Sequence, residues 1–270
     1  MRPDRIKQGF LVPNFITAFG LACGLFVIFK AVEIKYLDAT YQLVHSALIL
    51  LLIAALADFL DGAIARAIKA ESEFGFVFDT LSDAITFGVA PAVLSLKYLS
   101  SLFPDGKGLF FSLASAMVFS ICGVLRLVRF QIITKQSKGN LVEEGKLRKN
   151  FIGLPIPASA LAYASLLLLL VSPYADEVPI LFKMIALNSY GLILAYLMVS
   201  RWKFPSLKNF RFDVPSFELL FISVILAIFI FYGVLYYIPI AMFVMMTGYV
   251  IFGIVLTMLR FFQARKLRKK

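Results

Sequence analysis

The chain has 270 residues, 61% of them hydrophobic, with a mean hydropathy of +0.88, which excludes an ordinary soluble domain and implies a polytopic membrane protein. A net charge of +11 raises nucleic acid as a partner, but the placement of the basic residues excludes it. Two cysteines in apolar runs and a single histidine, His45, exclude a disulfide framework and a multi-histidine zinc site.

Residues 1–10 are polar and basic, and the apolar run after them has no small-residue cleavage site, so the first run is expected to stay as a membrane helix. Hydrophobic runs predict eight spans, over 11–32, 41–65, 75–98, 108–133, 153–173, 179–200, 215–237 and 239–261. With the amino terminus in the cytosol, 22 of the 27 Lys and Arg fall on the cytosolic side. The other five are Lys30, Lys35, Lys97, Lys107 and Lys183. That asymmetry is a positive-inside pattern, and it accounts for most of the net charge. The basic carboxyl-terminal tail reads as a topology anchor or as a contact for anionic headgroups.

Span 1 opens Val12-Pro13-Asn14-Phe15-Ile16-Thr17. Pro13 suits a first helical turn, and Asn14 and Thr17 face the same cytosolic end, which capping alone would explain. Span 2 ends, and span 3 begins, with the chain's most informative stretch: Asp58-Phe-Leu-Asp61-Gly62-Ala-Ile-Ala65-Arg66, eight residues, then Gly75-Phe-Val-Phe-Asp79-Thr-Leu-Ser-Asp83. Asp58 and Asp61 are three apart and Asp79 and Asp83 four apart, so each pair shares a helix face. Four acids at membrane depth need compensation, and carboxylate oxygens suit a hard divalent cation. Asp58 precedes Arg66 by roughly 12 Å of helix, a turn or two inside the cytosolic surface. His45 stands roughly 20 Å from Asp58 on the same helix, which makes it an interfacial residue rather than a base.

Span 3 continues through Phe87-Gly88-Val89-Ala90-Pro91-Ala92, a small-residue run suited to close packing, in which Pro91 is expected to kink the helix. Arg126 and Arg129 end span 4 and read either as positive-inside anchors or as ligands for a carboxylate or phosphate. The polar segment 134–152 reads as a solvated topology loop, with a lid over the site mouth as the sharper alternative. Gly153-Leu-Pro155-Ile-Pro157-Ala opens span 5, and Ser200-Arg-Trp-Lys-Phe-Pro-Ser follows span 6.

The spaced pattern D-x-x-D-G-x-x-A-R, eight residues, G-x-x-x-D-x-x-x-D matches every fixed position of the signature of the CDP-alcohol phosphotransferase family, which the chain therefore resembles over about residues 10–210. The resemblance implies an all-α integral membrane bundle with a six-helix catalytic core over 1–210 and an appended carboxyl-terminal hairpin and basic tail over 211–270. It implies Mg²⁺ or Mn²⁺, as two ions, held by Asp58, Asp61, Asp79 and Asp83, with Asp83 also the base. Gly62 and Ala65 would line the nucleotide side, Arg66 would meet the pyrophosphate, and Asn14 and Thr17 would sit on the CDP-lipid side. It further implies a multi-pass protein of a bacterial or archaeal plasma membrane, a cytosol-facing site and a homodimer. The Phe87–Ala92 and Gly153–Ala158 stretches are similar to the family members that use serine. CDP-diacylglycerol and L-serine are then the expected substrates, with Arg126 and Arg129 facing the serine carboxylate. Choline, inositol or glycerol phosphate as acceptor, and a cation transporter as a different class, remain open at this point. Gln131 stands where the family usually has Asn, and Gly20 where a bulkier polar residue is frequent.

Overall fold

The computed structural model describes residues 11–33, 40–67, 72–103, 106, 108–137, 150–205 and 238–267. The predicted span 215–237 and most of the polar segment 134–152 lie outside the described residues. The helices are α1 (Leu11–Val32), α2 (Thr40–Ala67), α3 (Glu73–Asp83), α4 (Ala90–Leu102), α5 (Leu109–Ser137), α6 (Ile156–Val171), α7 (Ile180–Val199) and α8 (Ile238–Leu267). Among the described residues, six helical segments are long and apolar enough to cross a membrane, with α3 and α4 forming one of them, Glu73–Leu102. The chain is thus an all-α polytopic membrane protein, as its composition requires.

The innermost helix, α6, is too short to cross a bilayer by itself. The run predicted over 153–173 is helical only over Ile156–Val171, about 24 Å of axis, less than the ~30 Å of a bilayer's apolar core. Gly153 and Pro155 hold its start back, and Ser172-Pro173 passes into the 3₁₀ turn Pro173–Ala175. Twelve residues of α6, from Ile156 to Leu170, are buried. It packs against α2, α4, α7 and α8. Ala160, Ala162 and Ala164 let those neighbours approach closely, as membrane helices need in the absence of a hydrophobic drive between them. Ser159 and Ser165 donate to the carbonyls of Ile156 and Ala162 three residues back, so their hydroxyls are satisfied inside the apolar core. Tyr163 accepts from Ser95 of α4 at 2.9 Å and packs its ring 4.9 Å from that of Phe119 of α5.

The third span is not the simple kinked helix expected. A π-helical turn, Ala84–Val89, separates α3 from α4, and Pro91 stands in the first turn of α4, a position that tolerates the missing N–H. The turn is seated against α1. A Cβ on Gly24 would collide with Thr86, so only glycine admits this approach. Thr86 donates to the Gly20 carbonyl at 3.5 Å, and Ser82, one turn earlier, to the Thr17 carbonyl at 3.4 Å. Two hydroxyls one turn apart therefore fasten the end of the acid-bearing helix to α1.

A short antiparallel ladder, β1 (Asn150–Ile152) on β2 (Lys203–Pro205), closes the other side of the same end of the bundle. Gly153 follows β1 with φ +79°, and its N–H donates to the Trp202 carbonyl at 2.7 Å. A Cβ there would meet the Met198 carbonyl and the Arg129 guanidinium. Gly153→Ala is expected to destabilise the protein by at least the ~1–2 kcal/mol of a left-handed backbone, with the collision added. Thermal unfolding in detergent checks this, and a wild-type melting temperature would contradict it.

Candidate active site

Asp58 and Asp61 come from the last turns of α2, and Asp79 and Asp83 from α3. The helical i, i+3 and i, i+4 spacing aims each pair inward, and the packing of α1 against both α2 and α3 brings the pairs together. One carboxylate oxygen from each of Asp58, Asp61 and Asp79 lies within 4.8 Å of the other two. Three hard oxygen donors so gathered fit a divalent cation, because without one they repel at short range. Asp83 is not part of this tight group. It lines the same cleft one turn further along α3, together with Thr17, Gly20, Ala54, Ser82, Thr86 and Phe87.

Asp61 is the most enclosed of the acids, 4% exposed, and its orientation is fixed from α1. Thr17 donates to Asp61 Oδ2 at 2.6 Å, while the same hydroxyl lies 3.1 Å from the Pro13 carbonyl. One proton serves the charged acceptor first. Thr17, expected on the CDP-lipid side, thus orients a carboxylate of the cluster. Nothing in the sequence pairs two residues 44 positions apart. The only available signal is that both are polar groups at the same end of neighbouring spans.

The remaining expected residues divide by position. Asn14 lies where α1 meets the start of α3, its Oδ1 3.1 Å from where a Cβ of Gly75 would stand. Ser72 caps α3 by accepting from the Gly75 N–H at 2.9 Å, which extends the helix two residues beyond its expected start. Gly62 and Ala65 are half-buried on α2 past the acids, and Arg66 follows on the same helix with its side chain outside the described atoms. His45 stacks on Tyr41, ring centroids 6.0 Å apart, at the far end of α2.

The two arginines of α5 have different surroundings. Arg129 donates to the carbonyls of Val199 at 2.7 Å and Ser200 at 3.1 Å, and reaches that of Met198 at 3.5 Å. These are the carbonyls left over at the end of α7, so Arg129 caps that helix, a role neither the anchor nor the ligand reading includes. Arg126 is 8% exposed, within electrostatic reach of Asp83 and Asp58, and its Nε has no hydrogen-bond partner among the described residues. A buried guanidinium donor without a partner is costly unless it serves a ligand. Gln131, one turn on, donates to the Thr80 hydroxyl and ties α5 to α3.

The model of the CDP-alcohol phosphatidyltransferase family matches residues 10–202. Among curated proteins, the chain is 34% identical to a CDP-diacylglycerol–serine O-phosphatidyltransferase of Bacillus subtilis over 198 residues, 73% of this chain and 92% of the relative. It is 33% identical to the protein of that name from Helicobacter pylori over 251 residues, 93% of this chain and 92% of the relative. The protein of that name from Methanocaldococcus jannaschii is 29% identical over 204 residues, 76% of this chain and 78% of the relative.

Proposed function

The chain belongs to the CDP-alcohol phosphatidyltransferase family, and we propose that within it the chain transfers the phosphatidyl group of CDP-diacylglycerol to the hydroxyl of L-serine, giving phosphatidylserine and CMP. The observation that carries this reading is a buried guanidinium, Arg126, whose Nε has no partner among the described residues, within electrostatic reach of Asp83 and Asp58 of the four-acid cleft. Relatives named for serine transfer support the same acceptor, and the family match removes the support for a cation transporter.

Asp58, Asp61 and Asp79 would hold a divalent cation, Mg²⁺ or Mn²⁺, with Asp83 at the edge of a second. When bound, such an ion neutralises charge on the pyrophosphate and the leaving CMP. Thr17 keeps the Asp61 carboxylate turned into the cleft. Arg66, Gly62, Ala65 and Asn14 take the nucleotide and pyrophosphate side. Arg126 receives the serine carboxylate, and the acids offset the serine ammonium group. Asp83 accepts the serine hydroxyl proton as that oxygen attacks the lipid-side phosphorus and the bond to CMP breaks. Holding the two reactants together supplies much of the remaining acceleration. The site faces the cytosol of a bacterial or archaeal plasma membrane, where serine enters and CMP leaves while the acyl chains stay in lipid. Residues 1–210 form the catalytic core and 211–270 an added carboxyl-terminal part, and the active species is a homodimer.

The test is CMP release from CDP-diacylglycerol in detergent micelles with serine, choline, inositol or glycerol phosphate as acceptor. Release that depends on serine is expected. In Arg126→Ala the KM for serine is expected to rise about 10- to 150-fold, the worth of a charged hydrogen bond, with the KM for CDP-diacylglycerol little changed. Release with another acceptor but not serine would replace the serine reading. Unchanged serine kinetics in Arg126→Ala would return that residue to an anchoring role.

A further inference from the structure

Asp79 and Asp83 meet the acids of α2 only if α3 presents them at the right angle. The helix is 11 residues long, so that angle depends on what holds it from outside. Side chains stand about 5–6 Å from a helix axis, so a rotation of about 10° carries a carboxylate about 1 Å. A misplacement of that size can cost about 100-fold in rate.

Two residues of α3 flank the acids. At about 100° per residue, Thr80 and Ser82 lie on opposite sides of the face that Asp79 and Asp83 share. On one flank Ser82 donates to the Thr17 carbonyl of α1 at 3.4 Å. On the other, the Thr80 hydroxyl donates to the Phe76 carbonyl at 2.9 Å, which commits its proton. The hydroxyl then offers a lone pair, and the Gln131 Nε2 amide of α5 donates to it. General packing does not account for this bond. Whereas α1 packs along α3, α5 packs on the π turn and α4 beyond it. The arm that makes the bond is itself anchored. Arg129, two residues earlier, is bound to the carbonyls of Val199 and Ser200 at the end of α7. The end of α5 thus forms a strut from α7 to the acid-bearing helix.

We propose that Gln131 is a positioning residue for the acid cluster. Through Thr80 it sets the rotation of α3, and so the approach of Asp79 and Asp83 to Asp58 and Asp61. This rests on the metal and base roles given to the acids above. Gln131 acts through Thr80 and not on the substrate.

The experiment uses the full-length protein in detergent and compares wild type, Gln131→Met, Thr80→Val, the two combined, and Thr80→Ser. Calorimetry reads Mn²⁺ affinity, and CMP release in CDP-diacylglycerol micelles reads kcat at saturating Mn²⁺ and serine. Gln131→Met and Thr80→Val are each expected to weaken Mn²⁺ binding about 10-fold. Each should also lower kcat about 10- to 100-fold, the range for a partner that orients a metal ligand. The KM values for serine and CDP-diacylglycerol should change little. The melting temperature should fall by about 2–4 °C at most, the shift for one hydrogen bond in a chain of this size. The double variant should match the single ones, because both remove the same bond. Thr80→Ser keeps the hydroxyl and is expected to behave as wild type. Thr247→Val breaks a bond of the same kind, the 3.0 Å contact of its hydroxyl with that of Tyr190, away from the cleft. It should lower the melting temperature without changing Mn²⁺ affinity or kcat. Wild-type Mn²⁺ affinity and kcat in Gln131→Met or in Thr80→Val overturn the proposal. So do additive losses in the double variant, a loss in Thr80→Ser equal to that in Thr80→Val, or an equal loss in Thr247→Val. If the wild type binds no Mn²⁺, the metal reading of the acids falls instead, and the kcat comparison with the metal that supports activity decides the role of Gln131.

Discussion

Asn in place of Asp61 is expected to remove most of the divalent-cation affinity and, with it, CMP release. Asp61 is the most enclosed of the acids, its oxygen lies within 4.8 Å of both Asp58 and Asp79, and Thr17 holds it at 2.6 Å. Asn retains the shape and one oxygen acceptor but loses the charge that a hard cation requires. The loss should exceed the roughly 10- to 100-fold typical of removing an outer-shell partner. Thr17→Val supplies that smaller value, since it leaves all the carboxylates present and frees only the orientation of one. Stability separates this from misfolding. Without metal, Asp61→Asn relieves repulsion among three crowded carboxylates, so its melting temperature should rise above that of the metal-free wild type. The further rise on adding Mg²⁺ or Mn²⁺ should shrink, because that rise measures binding to the folded state. Isothermal calorimetry with each metal, alongside melting curves with and without it, reads both effects. Wild-type metal affinity in Asp61→Asn would remove Asp61 from the proposed ligands.

The helix plan and the acid cluster are legible in the sequence for a physical reason. A membrane span announces itself by an uninterrupted apolar run, and an acid inside such a run stands out against it. Periodicity then places Asp58 with Asp61 and Asp79 with Asp83 on common faces. What it cannot supply is the partner of each face. Thr17 reads as one polar residue in a helix start, and only the packing of α1 against α2 turns it into a bond to Asp61. The π turn at Ala84–Val89 is decided in the same way, by the fit of Thr86 against Gly24, since a proline seven residues after Ala84 predicts only some interruption. The centrality of α6 is hidden because an apolar helix facing protein and one facing lipid have the same composition. Arg126 and Arg129 show the limit most plainly. They are three residues apart at the same end of one helix, yet Arg129 caps the neighbouring α7, while Arg126 is buried within electrostatic reach of the acids. Charge counts treat them alike, because the carbonyls that distinguish them come from residues some 70 positions later.

Asp83→Asn is expected to leave metal and CDP-diacylglycerol binding within a few-fold of wild type while turnover falls by roughly 10²–10⁴, the usual worth of general-base catalysis. The geometry separates Asp83 from the other acids. It lines the cleft with Thr86 and Phe87, one turn past Asp79, and it lies outside the group whose oxygens approach within 4.8 Å. The buried Arg126 guanidinium is within electrostatic reach of Asp83 first and of Asp58 second, so under the proposed role of Arg126 an acceptor held there has Asp83 as a nearby carboxylate. The π turn starts directly after Asp83, and Ser82 beside it is fastened to the Thr17 carbonyl, so the backbone carrying the proposed base is held from α1. Asn preserves size and one oxygen but cannot take up the proton that serine must lose before it is an effective nucleophile. Calorimetry of metal and of CDP-diacylglycerol, run beside CMP release at saturating serine, separates the two functions of the acid cluster. If Asp83→Asn keeps near-normal turnover once metal is saturating, Asp83 is a ligand only and the proton goes to another group. If its metal affinity collapses as in Asp61→Asn, Asp83 belongs with the triad as a binding residue.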